Sequence, residues 1–234
     1  MILIPVGLFA LAGTHYLDHR AHALAGNHLA SARIYLEQQR GHVEKYLEQQ
    51  VLTTNLPTLL AERTPKQTLD EVLATRADAA RLDFLIILDQ SGRVIASSSG
   101  TRTGTQVPVG FVLREALNGV LTSSYERLDG TTLQAISPRL ADRAGPARQP
   151  AAGPPVAPLG LLISAGTHFP LTNEHADAVL YGGILLNDNV GLIERLRDVV
   201  FPVSEGAPRV DGVTALFLAG RQVATSLQYP DDPD

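Results

Sequence analysis

The stretch that decides the fold is residues 83–97, which read DFLIILDQSGRVIAS. Residues 84–88 form an unbroken apolar run with two isoleucines, and the run has the length of a strand rather than of a helix. The following DQSG is typical of a turn, because Asp and Ser bond to nearby backbone and Gly tolerates positive φ. The extended pattern resumes at 93–97. We therefore predict an antiparallel hairpin whose first strand lies inside a sheet covered on both faces.

Composition sets the limits of the search for function. The chain has 234 residues, of which 44% are hydrophobic and 18% charged, as in globular proteins. A net charge of −5 argues against a nucleic-acid partner, which would need a basic surface. With no cysteine, disulfides and Cys-ligated metals are excluded. No nucleophile elbow, HExxH, phosphate loop or GxGxxG is present, so we predict no catalytic residue and no cofactor in this chain.

The first residues indicate a membrane. Residues 2–12 carry no charge, but the apolar stretch is shorter than the ~20 residues that span a bilayer, and no basic residue precedes it. We expect residues 1–16 to be the end of a transmembrane helix whose first turns lie before residue 1. A buried core helix and a weak signal peptide are the alternatives.

A long helix should follow over residues 17–63, interrupted at Pro57. Helices of this length are unusual within globular domains, so we expect a stalk that pairs with a second copy in a homodimer. A second amphipathic helix follows Thr64, and both helices should pack on the sheet. The seam of the stalk recurs at three- and four-residue steps: Leu17, Ala21, Leu24, His28, Ala32, Tyr35, Val43, Tyr46 and Gln50.

The remaining patterns alternate between strands and short helices. In the first half of this region they predict a helix at 112–120 ending at Gly119, a strand at 123–128 and a broken helix at 131–144. Buried strands are predicted at 159–165 and 178–186. A helix at 190–200 should follow, capped by Asn187, Asp188 and Asn189. A last hairpin is expected at 214–227. Two strands alone are marginal in water, so this hairpin should begin a second sheet.

Both the order of the elements and their sequences resemble the extracytoplasmic Cache sensor region of bacterial two-component histidine kinases. The resemblance covers roughly residues 62–226 and rests on LDFLIILDQSGRVIASS, REALNGV, LLISAG, VLYGGILLNDNVGLIERLRDVVF and TALFLAGRQVATS. It implies an α+β fold, in which a long N-terminal helix lies against a PAS-like antiparallel sheet. It also implies a membrane-distal domain at 64–189, a connector at 190–212, and the first hairpin of a truncated membrane-proximal lobe at 213–234.

The function implied by this resemblance is small-molecule sensing on the periplasmic side of the inner membrane, for a two-component sensor histidine kinase. Two alternatives remain. The first is that the chain is the sensor module of a methyl-accepting chemotaxis or diguanylate cyclase receptor. The second is that it is a structural or adaptor domain without a ligand. Any enzymatic activity would belong to the full-length receptor. The aromatic–Arg–aromatic signature of some Cache pockets is missing, so the ligand class is not carried over.

Six residues are candidates for ligand contact: Tyr125, Arg127, Ser164, His168, Tyr181 and Gly183. Tyr125 and Arg127 should share one side of their strand, where Arg127 would suit a carboxylate ligand if that side faces the pocket. The alternative is outward exposure. Gly183 and its neighbour Gly182 indicate close approach of a ligand or a helix, or tight packing.

Histidines are the remaining candidates. His168 and His175 should flank the loop between two late strands. His15, His19 and His22 share a helical face that could bind a metal or sense pH, but a polar membrane-proximal face explains them as well. We therefore predict no metal site.

Overall fold

A computed structural model describes residues 4–53, 56–62, 64–145, 157–170, 177–202 and 212–227. Its helices are α1 (Ile4–Thr53), α2 (Leu56–Ala61), α3 (Lys66–Ala80), α4 (Phe111–Leu117), α5 (Gly130–Ile136), α6 (Pro138–Arg143) and α7 (Val190–Val200). Its strands are β1 (Phe84–Asp89), β2 (Val94–Ser97), β3 (Thr122–Asp129), β4 (Leu159–Pro170), β5 (Asp177–Leu185), β6 (Ala215–Leu218) and β7 (Arg221–Thr225).

Five strands form one antiparallel sheet in the order β2-β1-β5-β4-β3. The predicted hairpin is confirmed, with β1 inside the sheet between β2 and β5. At the turn, one carboxylate oxygen of Asp89 accepts bonds from the backbone of Ser91 and of Arg93, and Gly92 has φ +78°. Burial alone would raise the pKa of Asp89, but the hydrogen bond from the Ser91 hydroxyl, the two backbone bonds and the nearby Arg93 charge outweigh burial and lower that pKa.

Each face of the sheet carries its own apolar layer, as expected for strands that are apolar on both sides. On the face that we call the α1 face, helices α1, α3 and α7 pack against residues such as Ile87 and Ile163. On the opposite face, which we call the α4 face, helices α4, α5 and α6 cover residues such as Phe84 and Ile86. The expected packing of both early helices on the sheet is thus confirmed.

The helices differ from the expectation mainly at their ends. Pro57 lies in the first turn of α2, after α1 has ended at Thr53. Ser137 separates α5 from α6, confirming the broken helix. Of the expected membrane segment, residues 1–3 lie outside the described residues and the rest belongs to α1. Within the part of the chain that the structure describes, no helix has the length and apolar character needed to cross a bilayer.

The last hairpin forms a separate two-stranded sheet of β6 and β7. It is attached to the main sheet at the end of β5, where the Asp188 amide donates to the Val223 carbonyl over 2.9 Å. Val223 and Ala224 are buried. The hairpin therefore lies against the junction between β5 and α7.

Candidate ligand site

The sheet register divides the six candidate residues between the two faces. Tyr125 is paired with Ile163 on the α1 face, and Arg127, two positions along, shares that side. Ser164 and Gly183 are directly paired, and with Tyr181 they belong to the α4 face. The predicted set therefore does not form one site, because Tyr125 and Arg127 lie on the opposite face of the sheet from Ser164, Tyr181 and Gly183.

On the α4 face, two of the candidates meet a residue that the sequence analysis did not select. Glu126 is only 6% exposed. One of its carboxylate oxygens accepts from the Val112 amide over 3.1 Å; the other accepts from Ser164 Oγ over 2.5 Å and from the Tyr181 hydroxyl over 2.8 Å. We call Glu126, Ser164, Tyr181 and the Val112 amide the Glu126 cluster.

Glycines let these elements come close enough for the cluster to form. Gly110 precedes α4, and a Cβ there would lie 2.9 Å from the Glu126 carboxylate that reaches the Val112 amide. A Cβ at Gly166 would lie 2.9 Å from the Ala116 side chain of α4. Small residues at both places let α4 pack closely on β3 and β4.

The Glu126 carboxyl group is held by hydrogen bonds rather than by a cation. None of the ion pairs formed by the described residues includes Glu126. Burial, with the Glu126 carboxylate beside it, raises the pKa of Tyr181 well above its usual range, so this phenol remains a donor. A carboxylate can accept about four hydrogen bonds, and three are made here. The site therefore suits a further donor or a cation.

Arg127 does not reach this cluster, because it is exposed on the α1 face opposite Leu161. A carboxylate ligand was expected only if Arg127 faced the pocket. Arg127 does not face the Glu126 cluster, so this expectation does not apply there. A ligand carboxylate would instead meet the charge of Glu126.

Gly183 is explained by strand packing. A Cβ at this position would overlap the Ile163 carbonyl and come within 3.0 Å of the Phe84 ring. At Gly182, a Cβ would lie 2.9 Å from the Leu85 side chain and 3.5 Å from Leu47 of α1. Of the two interpretations of this glycine pair, the geometry supports tight packing.

His168 lies within β4 rather than at the edge of a loop, because β4 extends to Pro170. Its Nε2 lies 3.1 Å from a carboxylate oxygen of Asp177, which also accepts from Gln90. It is four residues along the strand from Ser164, roughly 13 Å away. His175 lies outside the described residues, as do the side chains of His15, His19 and His22. Among the side chains that are described, no group of three metal-binding residues comes together.

Tyr125 borders a groove on the α1 face. Burial, together with the neighbouring Glu37 carboxylate, raises the pKa of Tyr125 to about 12.

The sequence contained one signal for Glu126 itself. Strict alternation along β3 places positions 124, 126 and 128 together, and Leu128 marks that side as buried.

Comparison with known proteins supports the fold. No protein-family model matches the chain, and no curated protein matches it. Among solved structures, the periplasmic domain of Vibrio cholerae LuxQ is similar, with a TM-score of 0.52, 11% identity, and coverage of 89% of this chain and 81% of that one. The selenomethionine form of the same domain has a TM-score of 0.52 and 12% identity, and the match covers 89% of this chain and 80% of that one. The likeness confirms the predicted α+β class, with a long N-terminal helix against an antiparallel sheet.

Proposed function

We propose that this chain is the extracytoplasmic sensing domain of a transmembrane receptor. Its ligand binds between the sheet and α4, in contact with the Glu126 cluster. The fold shared with a periplasmic domain supports the location, and the Cache resemblance of the sequence supports a histidine kinase as the output. In this proposal, the chain is attached to the membrane through residues 1–16, as the sequence analysis expects.

The observation that carries the proposal is the Glu126 cluster. A buried charge is costly unless it is well paired, and apolar residues of similar volume usually serve a core at least as well. Here the carboxyl group lies among apolar residues such as Phe84, whose ring packs edge-to-face with that of Tyr181 at a centroid distance of 5.1 Å. The position beneath α4 is also where the Cache resemblance places a ligand. The chemistry favours a small molecule that offers hydrogen-bond donors or a positive charge.

Binding at this cluster should affect how the β6–β7 hairpin is attached to the main sheet. Tyr181 belongs to β5, which ends at Leu185 and is followed by α7 from Val190. The Asp188 amide between them is bonded to β7. A ligand that prefers one of two positions of β5 would therefore bias the attachment of the hairpin, whereas a ligand without such a preference would transmit nothing.

A second candidate is a structural or adaptor domain without a ligand. The observations in its favour are that three donors of the chain itself already bond to the carboxylate, and that the surrounding residues Phe84, Val112 and Leu162 are fully buried. In that case the cluster would only fix the position of α4 on the sheet.

A thermal-shift screen of small amines, amino acids and polyols separates the two candidates. A ligand at about 100 times its Kd adds about 2.7 kcal/mol to the stability of the native state. We expect a compound that raises the Tm of the wild-type chain and has a much smaller effect on Ser164→Ala. The matched control is Ser124→Ala, which removes a hydroxyl from β3 that bonds only its own neighbour. If no compound in these classes acts, or if both variants respond like the wild type, the ligand site is not at this cluster.

A further inference from the structure

Helix α4 covers a group of polar side chains that solvent hardly reaches. Glu126 is 6% exposed, Tyr181 is 3% exposed and Ser164 has no exposed surface. The backbone just before α4 closes the cluster on one side, because a Cβ at Gly110 would lie 2.9 Å from Glu126 Oε1. As the structure stands, a molecule in solution has no access to the carboxylate. Some part of its cover must therefore move before anything binds there.

Few interactions hold α4 to the rest of the chain. The helix has seven residues, which is too short for a helix to be stable without tertiary packing. Its buried side chains are those of Val112, Leu113 and Ala116. Within the described part of the chain, the bond from the Val112 amide to Glu126 Oε1 is the one hydrogen bond that ties residues 110–120 to another segment. This makes α4 the element of the cover that is most easily displaced.

The contact with β4 and the two ends of α4 are also suited to movement. Val112 and Ala116 lie over Gly166 of β4, so no side chain of β4 interlocks with α4 at this point. Gly110 precedes the helix, and Gly119 follows it with φ +84°. Nothing beyond its adjacent residues lies within 4 Å of a Cβ built at Gly119. Glycines at both ends allow the backbone rotations that a hinge needs.

We infer that α4 is a lid that opens as a unit on its two flanking glycines, and that Glu126 is the latch that holds it closed. Opening breaks the bond from the Val112 amide and exposes Glu126 Oε1, while Ser164 and Tyr181 continue to hold Oε2. The role of this opening in admitting a ligand rests on the proposed function. The opening itself is a property of the chain and takes place without a ligand.

Thiol labelling tests the opening, because the chain has no native cysteine. Val112→Cys places one thiol beneath α4, and Val43→Cys places one beneath α1 as the matched control. Both valines are completely buried on helices that pack against the sheet. Each full-length variant is treated with dithionitrobenzoate at several low concentrations of urea, and the rate of labelling is measured.

We expect Val112→Cys to react at least about tenfold faster than Val43→Cys, because a local opening costs less free energy than global unfolding. Its rate should depend little on urea, since the opening exposes little surface, whereas the rate of Val43→Cys should rise steeply. Equal rates with the same urea dependence would show that α4 leaves the sheet only when the whole chain unfolds. That result would overturn the inference.

Second-site changes test the latch. Glu126→Ala removes the acceptor of the α4 bond and should speed the labelling of Val112→Cys about tenfold or more. Gly110→Ala is a milder variant that should speed it several-fold, because its Cβ would crowd Glu126 Oε1. Thr101→Val is the control, since it removes a buried hydroxyl that bonds to α5 instead of α4. It should speed the labelling of Val43→Cys and leave that of Val112→Cys unchanged.

The latch is wrong if neither Glu126→Ala nor Gly110→Ala speeds the labelling of Val112→Cys, or if Thr101→Val speeds it equally. None of these outcomes depends on the thermal-shift screen. A screen without a hit therefore contradicts the proposed function and leaves the lid in place, whereas failure of the labelling test contradicts the lid alone.

Discussion

Glu126 is held in the core by three hydrogen bonds rather than by a cation. Its partners come from α4, β4 and β5, with the hydroxyls of Ser164 and Tyr181 on one oxygen and the Val112 amide on the other. Since hydrogen bonds to charged groups are worth about 1.5–3 kcal/mol each, this one side chain joins three elements of the α4 face.

Truncation of Glu126 should therefore destabilise the chain strongly. Glu126→Ala leaves three buried donors unpaired and should lower the free energy of unfolding by about 3 kcal/mol or more. Glu126→Gln should cost less, because its amide oxygen still accepts from the Val112 amide and its NH₂ can donate to the two hydroxyl oxygens, although the hydroxyl protons then lose this acceptor. Urea unfolding measures both. Equal losses in the two variants would show that hydrogen bonding is not what the carboxylate contributes.

Coupling between Glu126 and Tyr181 can be measured in the same assay. In a double-mutant cycle of Glu126→Ala and Tyr181→Phe, the combined loss should be smaller than the sum of the single losses, because the second change removes a donor that the first left unpaired. Additive losses would contradict the direct bond.

Tyr125 gives a pH-dependent prediction. Its pKa is raised to about 12 in the folded chain, against about 10 for an unperturbed tyrosine. Below pH 10 both folded and unfolded states keep the proton. Between pH 10 and 12 the unfolded state loses it first, so this contribution to stability is lost as pH rises.

The wild type should therefore lose stability over that pH window more steeply than Tyr125→Phe. Urea midpoints of the two proteins, measured from pH 9 upward, supply the comparison. Since Tyr181 is present in both proteins, its own titration cancels in the difference. A difference that does not vary with pH would contradict the raised pKa.

The junction from β5 to α7 is an element in which three adjacent polar residues act differently. The Asn187 side chain bonds to the backbone of Leu161 and Leu159 and so holds β4. Asp188 is exposed, has φ +48°, and bonds through its backbone to β7. Asn189 caps α7, because its side chain accepts from the Leu192 amide over 3.0 Å. The expectation that all three residues cap the helix is correct for Asn189 alone.

Substitutions at this junction should separate these contributions. Asn189→Ala removes the cap and should cost about 1 kcal/mol. Asp188→Gly should be neutral or stabilising, because glycine adopts positive φ without the steric cost that other residues have. Thermal unfolding and amide exchange at the start of α7 report both effects. A larger loss in Asp188→Gly than in Asn189→Ala would assign the cap to Asp188 instead.

At the scale of the whole molecule, α1 serves the chain's own core over much of its length. Tyr35, Val43 and Leu47 are buried against the sheet and α7. The seam expected to pair two copies therefore faces inward from Tyr35 onward. In contrast, Ile34 is 59% exposed, so any homodimer through α1 must use its outer side or its earlier turns.

Cysteine crosslinking tests how two full-length chains associate. If the proposed homodimer pairs along the outer side of α1, Ile34→Cys should crosslink on mild oxidation. Val43→Cys should not, because its side chain is buried in the same chain. Thr75→Cys on α3 is an exposed control away from the helix, and it should also remain uncrosslinked. Equal crosslinking at Ile34 and Thr75 would indicate random collision instead of a dimer.

Local chemistry accounts for what the sequence predicted well. The hairpin at 83–97, the break before Pro138, the helix Val190–Val200 and the last hairpin were all expected close to where they occur. Strand ends were less accurate. Strand β4 continues beyond its apolar run, through Thr167 and His168 to Pro170, because it stays paired with β5 as far as Asp177.

The sequence by itself determined the elements, their order and the two-sided burial of β1, because periodicity and turn residues act between neighbours in the chain. Tertiary structure alone decided which side of β3 lies beneath α4. Glu126 is bonded to residues 14, 38 and 55 positions away. Alternation and Leu128 indicate that the side of position 126 is buried, but the helix that covers it and the donors that reach Glu126 are set by contacts between distant segments.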